Sequence, residues 1–310
     1  MKQYELNYYP KFRCIASECE HTCCAGWEMC IDAKTLDAYK GEKSAFGDNL
    51  HKGINFKKAK FKADKSGRCA FLNDKGLCEI IINLGEQGLC QVCKDHPRFR
   101  SFFSDRIETG LGFSCEQATR DILSFKDKIQ PVLVNDDGEK NQVNFIENSV
   151  LEFRQKALNI VQDRTSSATE RLQKLLLLCK ADLTKEQLNK SKKVFLSFER
   201  LDKNWTKRLK STKNTPLKLG VEQNLSLIFE QFMANSLYRH LSDAEDIMWA
   251  MAIALSCAIS WLIIQSIIES EHAYDFESVV DVVRAYSAEI EYSQKNLDRL
   301  FLLAYKFIKI

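Results

Sequence analysis

Residues 69–98 read CAFLNDKGLCEIIINLGEQGLCQVCKDHPR and carry four of the twelve cysteines of this 310-residue chain. The spacing is C-x8-C-x11-C-x2-C, over Cys69, Cys78, Cys90 and Cys93. An earlier stretch, FRCIASECEHTCCAGW (12–27), has the spacing C-x4-C-x3-C-C, over Cys14, Cys19, Cys23 and Cys24. Several thiolates must come within about 2.3 Å of one metal, and short spacings bring donors together at a small loss of loop entropy. The two stretches therefore predict a metal centre in the N-terminal part of the chain.

Spacing alone does not decide the metal. All-sulfur ligation suits an iron–sulfur cluster or zinc, and disulfides are a third, less favoured interpretation. Neighbouring side chains on an extended backbone point in opposite directions, so Cys23 and Cys24 serve either two centres or one centre and the core. Two metal sites, or one site with spectator thiols, both remain open.

The first residues of the chain indicate the expected cellular compartment. MKQYELNYYPKF has no apolar core and no small-residue cleavage site, so we expect no secretory signal and a reducing, cytoplasmic location. Cys179 and Cys257 lie in the apolar runs LLLLCK and IALSCAIS and are expected to pack in the core, because free cysteine behaves as a small hydrophobe. Cys30, in the stretch MCID, is also expected in the core.

Charge is nearly balanced, with 45 Lys and Arg against 42 Asp and Glu and a net charge of +3. This balance gives no indication of nucleic-acid binding. The Lys-rich run HKGINFKKAKFKADK (51–65) is expected to be a solvated loop, with docking of an acidic partner as the alternative.

One apolar segment is long enough to span a membrane. Residues 247–268, IMWAMAIALSCAISWLIIQSII, carry no charge over 22 positions. However, acidic residues flank both ends, no Lys or Arg cluster would orient the segment, and Ala, Ser, Cys and Gln dilute its hydrophobicity. We favour a buried central helix over membrane association.

Turn and cap signals divide the chain. RFRSFFS (98–104) and RIETGLGFS (106–114) predict a β-hairpin turning at Asp105. Ser114-x-x-Gln117 predicts a capping box opening a helix to about Phe125, with Cys115 in the first turn, where free backbone N–H groups stabilise a thiolate. Two further capping boxes, Ser167-x-x-Glu170 and Thr184-x-x-Gln187, predict helix starts in the second half.

We therefore expect an α+β protein: a small cysteine-rich metal-binding N-terminal domain with a β-hairpin (1–125), a linker (126–145) and an all-helical domain (146–310). The linker assignment rests on Pro131 and on the turn-forming sequence Asn135-Asp136-Asp137-Gly138.

Three blocks in order, FRCIASECEHTCCAGW, CAFLNDKGLCEIIINLGEQGLCQVCKDHPRF and FSCEQATRDIL, resemble the flagellin lysine-N-methylase family. That family is related through its cysteine pattern to CxxCxxCC zinc- or iron-chelating domains. The resemblance covers about residues 5–125 and continues more weakly in FEQFMANSLYRHL (229–241). It implies methyl transfer from S-adenosylmethionine to lysines of flagellin, the bacterial flagellar protein, with a 4Fe–4S cluster. By position, the metal ligands are Cys14, Cys19, Cys23, Cys24, Cys69, Cys78, Cys90, Cys93 and Cys115.

The methyl-donor site has no clear sequence signal. A strand ending in a Gly-rich turn before a helix is missing, and so is the CX3CX2C motif of ordinary radical adenosylmethionine enzymes. Weak candidates for catalytic or cofactor contacts are Glu86, His96 and Arg98. Trp27, beside the first cysteine block, is expected to pack in the core or to shield the metal. The alternative function is a non-enzymatic zinc- or iron-chelating protein with a helical interaction domain.

Overall fold

A computed structural model describes residues 1–26, 28–138 and 143–309. The expectation for Trp27 and part of the expected linker, 139–142, fall outside these ranges. The chain forms two compact units: Arg13–Arg98, here the cysteine-rich unit, and Met1–Phe12 with Phe99–Ile310, here the helical unit. The expected domain 1–125 thus contains the whole cysteine-rich unit together with strands that belong to the helical unit.

The described residues include six strands, which are β1 (Lys2–Leu6), β2 (Ile54–Asn55), β3 (Lys60–Phe61), β4 (Arg98–Phe102), β5 (Arg106–Leu111) and β6 (Pro131–Asp136). The α-helices of the N-terminal part are α1 (Ala33–Lys40), α2 (Gly47–Lys52), α3 (Glu79–Leu84), α4 (Gln91–Asp95) and α5 (Glu116–Leu123). The remaining helices are α6 (Phe145–Val161), α7 (Ala168–Leu178), α8 (Lys185–Leu196), α9 (Lys203–Ser211), α10 (Ser226–His240), α11 (Ile247–Glu271), α12 (Phe276–Tyr286) and α13 (Gln294–Tyr305).

A four-stranded sheet of order β4-β5-β1-β6 belongs to the helical unit. The predicted hairpin is confirmed: β4 and β5 are hydrogen-bonded neighbours, and the amide of Phe103 donates to the carbonyl of Arg106 (2.9 Å) across the turn. β1 runs parallel to β5 and antiparallel to β6. The expected linker therefore supplies an edge strand, because its Pro131–Asp136 segment extends the sheet beyond β1.

The apolar segment at 247–268 forms most of α11, in the middle of the helical core. Over its most apolar 18 residues the mean hydropathy is 2.2, which is enough for a membrane span, yet 78% of that window is buried within the protein. The Trp261 ring, for example, contacts the rings of Phe229 and Phe232 from α10. Burial on all sides explains the missing polar face of the helix, as expected for a central core helix.

Two of the three predicted capping boxes are confirmed, at Ser167 with Glu170 and at Thr184 with Gln187. The third is wrong, because α5 begins one residue later, with Cys115 rather than Ser114 at the N-cap. Gln117 then occupies the second helical position, from which its side chain donates forward to Asp121 (2.8 Å) instead of back to the cap.

Polar side chains of α10 connect the sheet to the helices. Asn235 donates to the carbonyl of Leu111 in β5 (3.0 Å) and hydrogen-bonds the hydroxyl of Tyr8, which accepts from the amide of Leu111 (3.0 Å). All three residues are fully buried. Satisfied buried polar groups of this kind specify one packing arrangement, because each would be costly to leave unpaired.

A second buried polar group lies at the end of α10. The carboxylate of Glu291, in a π-helical turn at Ser287–Glu291, bonds Arg239 (2.9 Å), His240 Nε2 (3.0 Å) and the hydroxyl of Ser287. Burial by itself raises the pKa of this carboxyl, but the charge of Arg239 and the bonds from His240 and Ser287 outweigh it and hold the pKa at about 2. Glu291 is therefore ionised in the folded protein.

Candidate metal centre

The cysteine-rich unit has a small core of its own. Its buried side chains come from α1 to α3, from the β2–β3 hairpin and from the loops between them, and they include Tyr39, Leu50, Phe61, Phe71 and Ile80. Five cysteines belong to this core or pack against it: Cys24, Cys69, Cys78, Cys90 and Cys93. Both cysteine blocks of the sequence thus contribute to this core, and the second block supplies four of the five cysteines.

Local backbone structure positions these thiols. The amide of Cys69 donates to the carbonyl of Cys24 (2.8 Å), which joins the two blocks directly. Cys78 is the N-cap residue of α3, and Cys90 is the N-cap residue of α4. Cys93 follows on α4, one helical turn after Cys90, so the C-x2-C spacing places both sulfurs on one face of the helix start.

Cys24 is more readily ionised than a free cysteine. A hydrogen bond from the Cys23 thiol is the largest influence, and burial opposes it. The hydroxyl of Thr22 and the positive charge of Arg68 act in the same direction as Cys23, and together they lower the Cys24 pKa to about 7. This sulfur is therefore prepared for ligation, because the thiolate is the metal-binding form.

The thiols of Cys69 and Cys78 resist ionisation. Burial, with smaller contributions from negative charge on Cys24, Cys78 and Cys90, raises the pKa of Cys69 to about 11. Burial likewise raises the pKa of Cys78, with contributions from Cys24 and Cys90. Each sulfur responds to the charge of the others because all of them lie in one neighbourhood.

Cys90 and Cys93 form a hydrogen-bonded pair. The Cys93 thiol donates to Cys90, which lowers the pKa of Cys90 and raises that of Cys93. Negative charge on Cys24 and Cys69 raises the Cys93 pKa further. Several thiolates in this core would repel one another, and a bound cation is the direct way to stabilise them together.

The donor set fits a thiophilic centre in its chemistry. Soft thiolates suit an iron–sulfur cluster or zinc, and four or more are present. Among the described residues, no group of three or more His, Cys, Asp and Glu side chains is already arranged to hold a metal ion. Binding would therefore require the sulfurs to turn from their thiol–thiol hydrogen bonds toward a common centre.

The remaining predicted ligands are placed differently. Cys14 and Cys23 are exposed, and Cys19 is half-buried. The sulfur of Cys14 accepts from the amide of Ala16 (3.4 Å). Cys115 belongs to the helical unit, where it packs partly buried against the core at the start of α5.

Three cysteines were expected in the core. Cys179 and Cys257 are buried there, as predicted. Cys30 is exposed, so that expectation is wrong. Its neighbours Met29 and Ile31 are buried, and the extended backbone between them turns the Cys30 side chain outward.

The candidate catalytic residues lie in the second half of the cysteine-rich unit. Glu86 is exposed in a short 3-10 turn, and His96 is half-buried before Pro97. The guanidinium of Arg98 donates to the carbonyl of Lys94 (2.9 Å), so it helps to end α4 rather than standing open to a cofactor carboxylate. These contacts do not place Glu86, His96 and Arg98 together as a catalytic group.

Asp32 is a site residue that our sequence reasoning missed. Its carboxylate accepts from the amide of Thr35 (3.0 Å) as the N-cap of α1, and from the amide of Gln91 (2.9 Å) at the start of α4. It thereby fixes the segment that carries Cys90 and Cys93. The available signal was an Asp directly before a helical stretch, but its second partner lies 59 residues away and leaves no local pattern.

Comparison with known proteins gives three related matches. The chain is 29% identical over 131 residues to "Flagellar biosynthetic protein FliU" of Salmonella muenchen, covering 40% of this chain and 78% of that protein. It is 27% identical over 131 residues to "Lysine-N-methylase" of Salmonella typhimurium and of Salmonella choleraesuis. The match spans only 33% of either methylase. No protein-family profile and no solved structure matches the chain.

Proposed function

We propose that this protein is an S-adenosylmethionine-dependent lysine N-methyltransferase of the bacterial cytoplasm that acts on flagellin and requires a cysteine-ligated 4Fe–4S cluster. The gathering of Cys24, Cys69, Cys78, Cys90 and Cys93 in and against one hydrophobic core is the observation that carries the metal-binding part of the proposal. Similarity to proteins named lysine-N-methylase and to a flagellar biosynthetic protein supports the reaction and the substrate.

The proposed ligands come first from these five cysteines. Cys24 and Cys90, whose pKa values are lowered, are the thiols of this set that ionise more readily than a free cysteine. Cys14, Cys19, Cys23 and Cys115 remain candidates for a second centre or for spectator thiols. An iron–sulfur cluster with one iron free of protein thiolate would supply a chelation point for the amino-carboxylate of S-adenosylmethionine.

The reaction needs a neutral acceptor amine. The Nε lone pair of the substrate lysine forms the new N–C bond while the S–CH3 bond of the donor breaks, leaving S-adenosylhomocysteine. Since the lysine pKa is about 10.4, a group on the protein must take its proton. In the cysteine-rich unit, exposed Glu86 and half-buried His96 are the candidates of suitable chemistry.

The cytoplasmic location is part of the proposal. All twelve cysteines are free thiols, which fits a reducing compartment. The one apolar helix long enough to cross a membrane, among the residues described, is mostly buried in the helical unit, so membrane association is not favoured.

A direct test is to purify the protein without oxygen, measure iron and acid-labile sulfide, and assay methylation of flagellin by mass spectrometry. Methylated lysines that require both S-adenosylmethionine and the bound cluster would support the proposal. A loaded protein that neither binds S-adenosylmethionine nor modifies flagellin would favour the alternative, a zinc- or iron-chelating protein with a helical interaction domain. The thiol core by itself fits that alternative equally well.

A further inference from the structure

The β2–β3 hairpin of the cysteine-rich unit carries an unusual excess of positive charge. Residues 51–65 contain six lysines and a single acidic residue, Asp64. We call the segment from Ile54 to Phe61, together with its flanking residues Lys52 and Lys62, the lysine hairpin. Neither the metal centre nor the proposed methyl transfer uses it.

The lysine hairpin is an ordered surface rather than a loose loop. Asn55 accepts the amide of Lys58 through its backbone carbonyl (3.2 Å) and its side chain (3.1 Å), which closes the turn. The carbonyl of Ala59 accepts from the amide of Ile31 (2.7 Å), and the buried ring of Phe61 contacts that of Phe71. Lys57 and Lys58 therefore project, exposed, from a turn whose backbone is already fixed, so binding would order only side chains.

Most of this charge is not neutralised. Lys60 pairs with Glu28, and Lys58 adds to the field that lowers the Glu28 pKa. Asp64, the acid within the run, accepts instead from Ser66 and from the amide of Arg68. Within the described residues, Lys52, Lys57 and Lys58 form no ion pair, and the Lys62 ammonium donates to the backbone carbonyl of Lys52. The lysine hairpin therefore carries a net positive charge on a small surface.

The residue types of the lysine hairpin favour one kind of anionic partner over others. Arginine, the preferred side chain for bidentate contact with phosphate, is missing from the run. The large exposed apolar residues of the described chain also lie elsewhere, so the hairpin offers nothing to insert into a bilayer. Compact ammonium groups without an apolar anchor suit carboxylates on a protein surface.

We propose that the lysine hairpin docks an acidic face of the protein substrate, with Lys57 and Lys58 as its main contacts. This inference rests on the proposed function for the identity of the substrate, and it assigns substrate recruitment to a surface separate from the thiols. Charge attraction of this kind acts chiefly on association and on affinity, and salt weakens it.

The test compares the full-length wild type with Lys57→Glu/Lys58→Glu and with a matched control, Lys203→Glu/Lys207→Glu. The control changes the charge by the same amount on exposed positions of α9. Purified flagellin monomer is the probe, and its Kd is measured at low and high salt, with circular dichroism to confirm folding. We expect the hairpin variant to bind about tenfold more weakly at low salt and the control to bind as the wild type does.

Kinetics separates this inference from the proposed function. If the wild type methylates flagellin, the hairpin variant should raise KM and leave kcat unchanged. Equal Kd and KM in the hairpin variant and the wild type would overturn docking and leave methylation standing. Charge-dependent binding of flagellin without methylation would support docking and refute the methylase. Docking would also be overturned if the wild type did not bind flagellin but bound a short DNA duplex or anionic vesicles, and if the hairpin variant lost that binding.

Discussion

Cys93 donates its thiol hydrogen to the sulfur of Cys90 across the first turn of α4, and both sulfurs face the small core of the cysteine-rich unit. The same core includes Cys69, and Cys24 and Cys78 pack against it. Without metal, hydrogen bonds thus link the thiols of Cys90 with Cys93 and of Cys23 with Cys24. Under the proposed function, metal–sulfur bonds would replace them.

The first prediction concerns which cysteines hold metal. Cys90→Ser should lose most of the iron bound by the wild type, because it removes a fully buried thiol of the core that the five cysteines share. Cys30→Ser, in the same unit but exposed, should retain it. Iron and sulfide analysis of anaerobically purified proteins checks this. Since Cys90 is buried, Cys93→Ala serves as a second variant, and equal iron in all four proteins would refute the assignment.

The second prediction concerns Asp32, which joins α1 to the start of α4. Asp32→Ala should cost about 1–2 kcal/mol in unfolding free energy, since it removes a helix cap and the partner of the Gln91 amide. Hydrogen exchange at the Gln91 and Val92 amides should accelerate, and metal should be released faster. Asp37→Ala, an exposed change in α1, is the control. Unchanged exchange at α4 in Asp32→Ala would show that this contact does not hold the segment.

The third prediction tests packing in the hydrophobic core of the cysteine-rich unit. A Cβ on Gly53 would lie 2.3 Å from the nearest ring atom of Phe71, a buried residue, and two further ring atoms are within 2.9 Å. Gly53→Ala should therefore destabilise the cysteine-rich unit by about 1–3 kcal/mol through overpacking. Gly41→Ala, whose Cβ would come no closer than 3.6 Å to other atoms, should be nearly neutral. Denaturant unfolding compares the two, and equal midpoints would contradict the packing described.

The fourth prediction is a pH dependence of the helical unit. The folded-state pKa of Glu291, about 2, lies below the ordinary value of 4.5, so its ionisation stabilises the fold above that ordinary value. This contribution should decline as the pH falls from about 4.5 to about 2, a loss on the order of 3 kcal/mol. Glu291→Gln should lack this part of the acid dependence, whereas the exposed change Glu186→Gln should keep it. Parallel wild-type and Glu291→Gln curves over that range would contradict the buried ion pair.

Local patterns predicted the local features of the fold. The hairpin around Asp105 and the capping boxes at Ser167 and Thr184 need only neighbouring residues, and each is present. The box at Ser114 failed because a shift of one residue moved Gln117 out of reach of the cap. The edge strand β6 was missed because Pro131 and the following turn residues resemble a linker, while its pairing partner β1 is more than 120 residues earlier.

At the site, too, local features were predictable from the sequence and contacts between distant residues were not. Clustered cysteines predicted where thiols would gather, but not the contact of Asp32 with Gln91 or the outward direction of Cys30. The buried polar residues of α10 were also missed as a structural group. Asn235 and Arg239 lie in the segment that carried the weaker family likeness, but their partners Tyr8 and Glu291 come from distant parts of the chain.

Metal and sulfide analysis of protein purified without oxygen tests the central claim most directly. We predict a coloured protein that contains iron and acid-labile sulfide in comparable amounts and loses both when Cys90 and Cys93 are replaced. A colourless protein that contains no iron, sulfide or zinc would contradict a metal centre in this core.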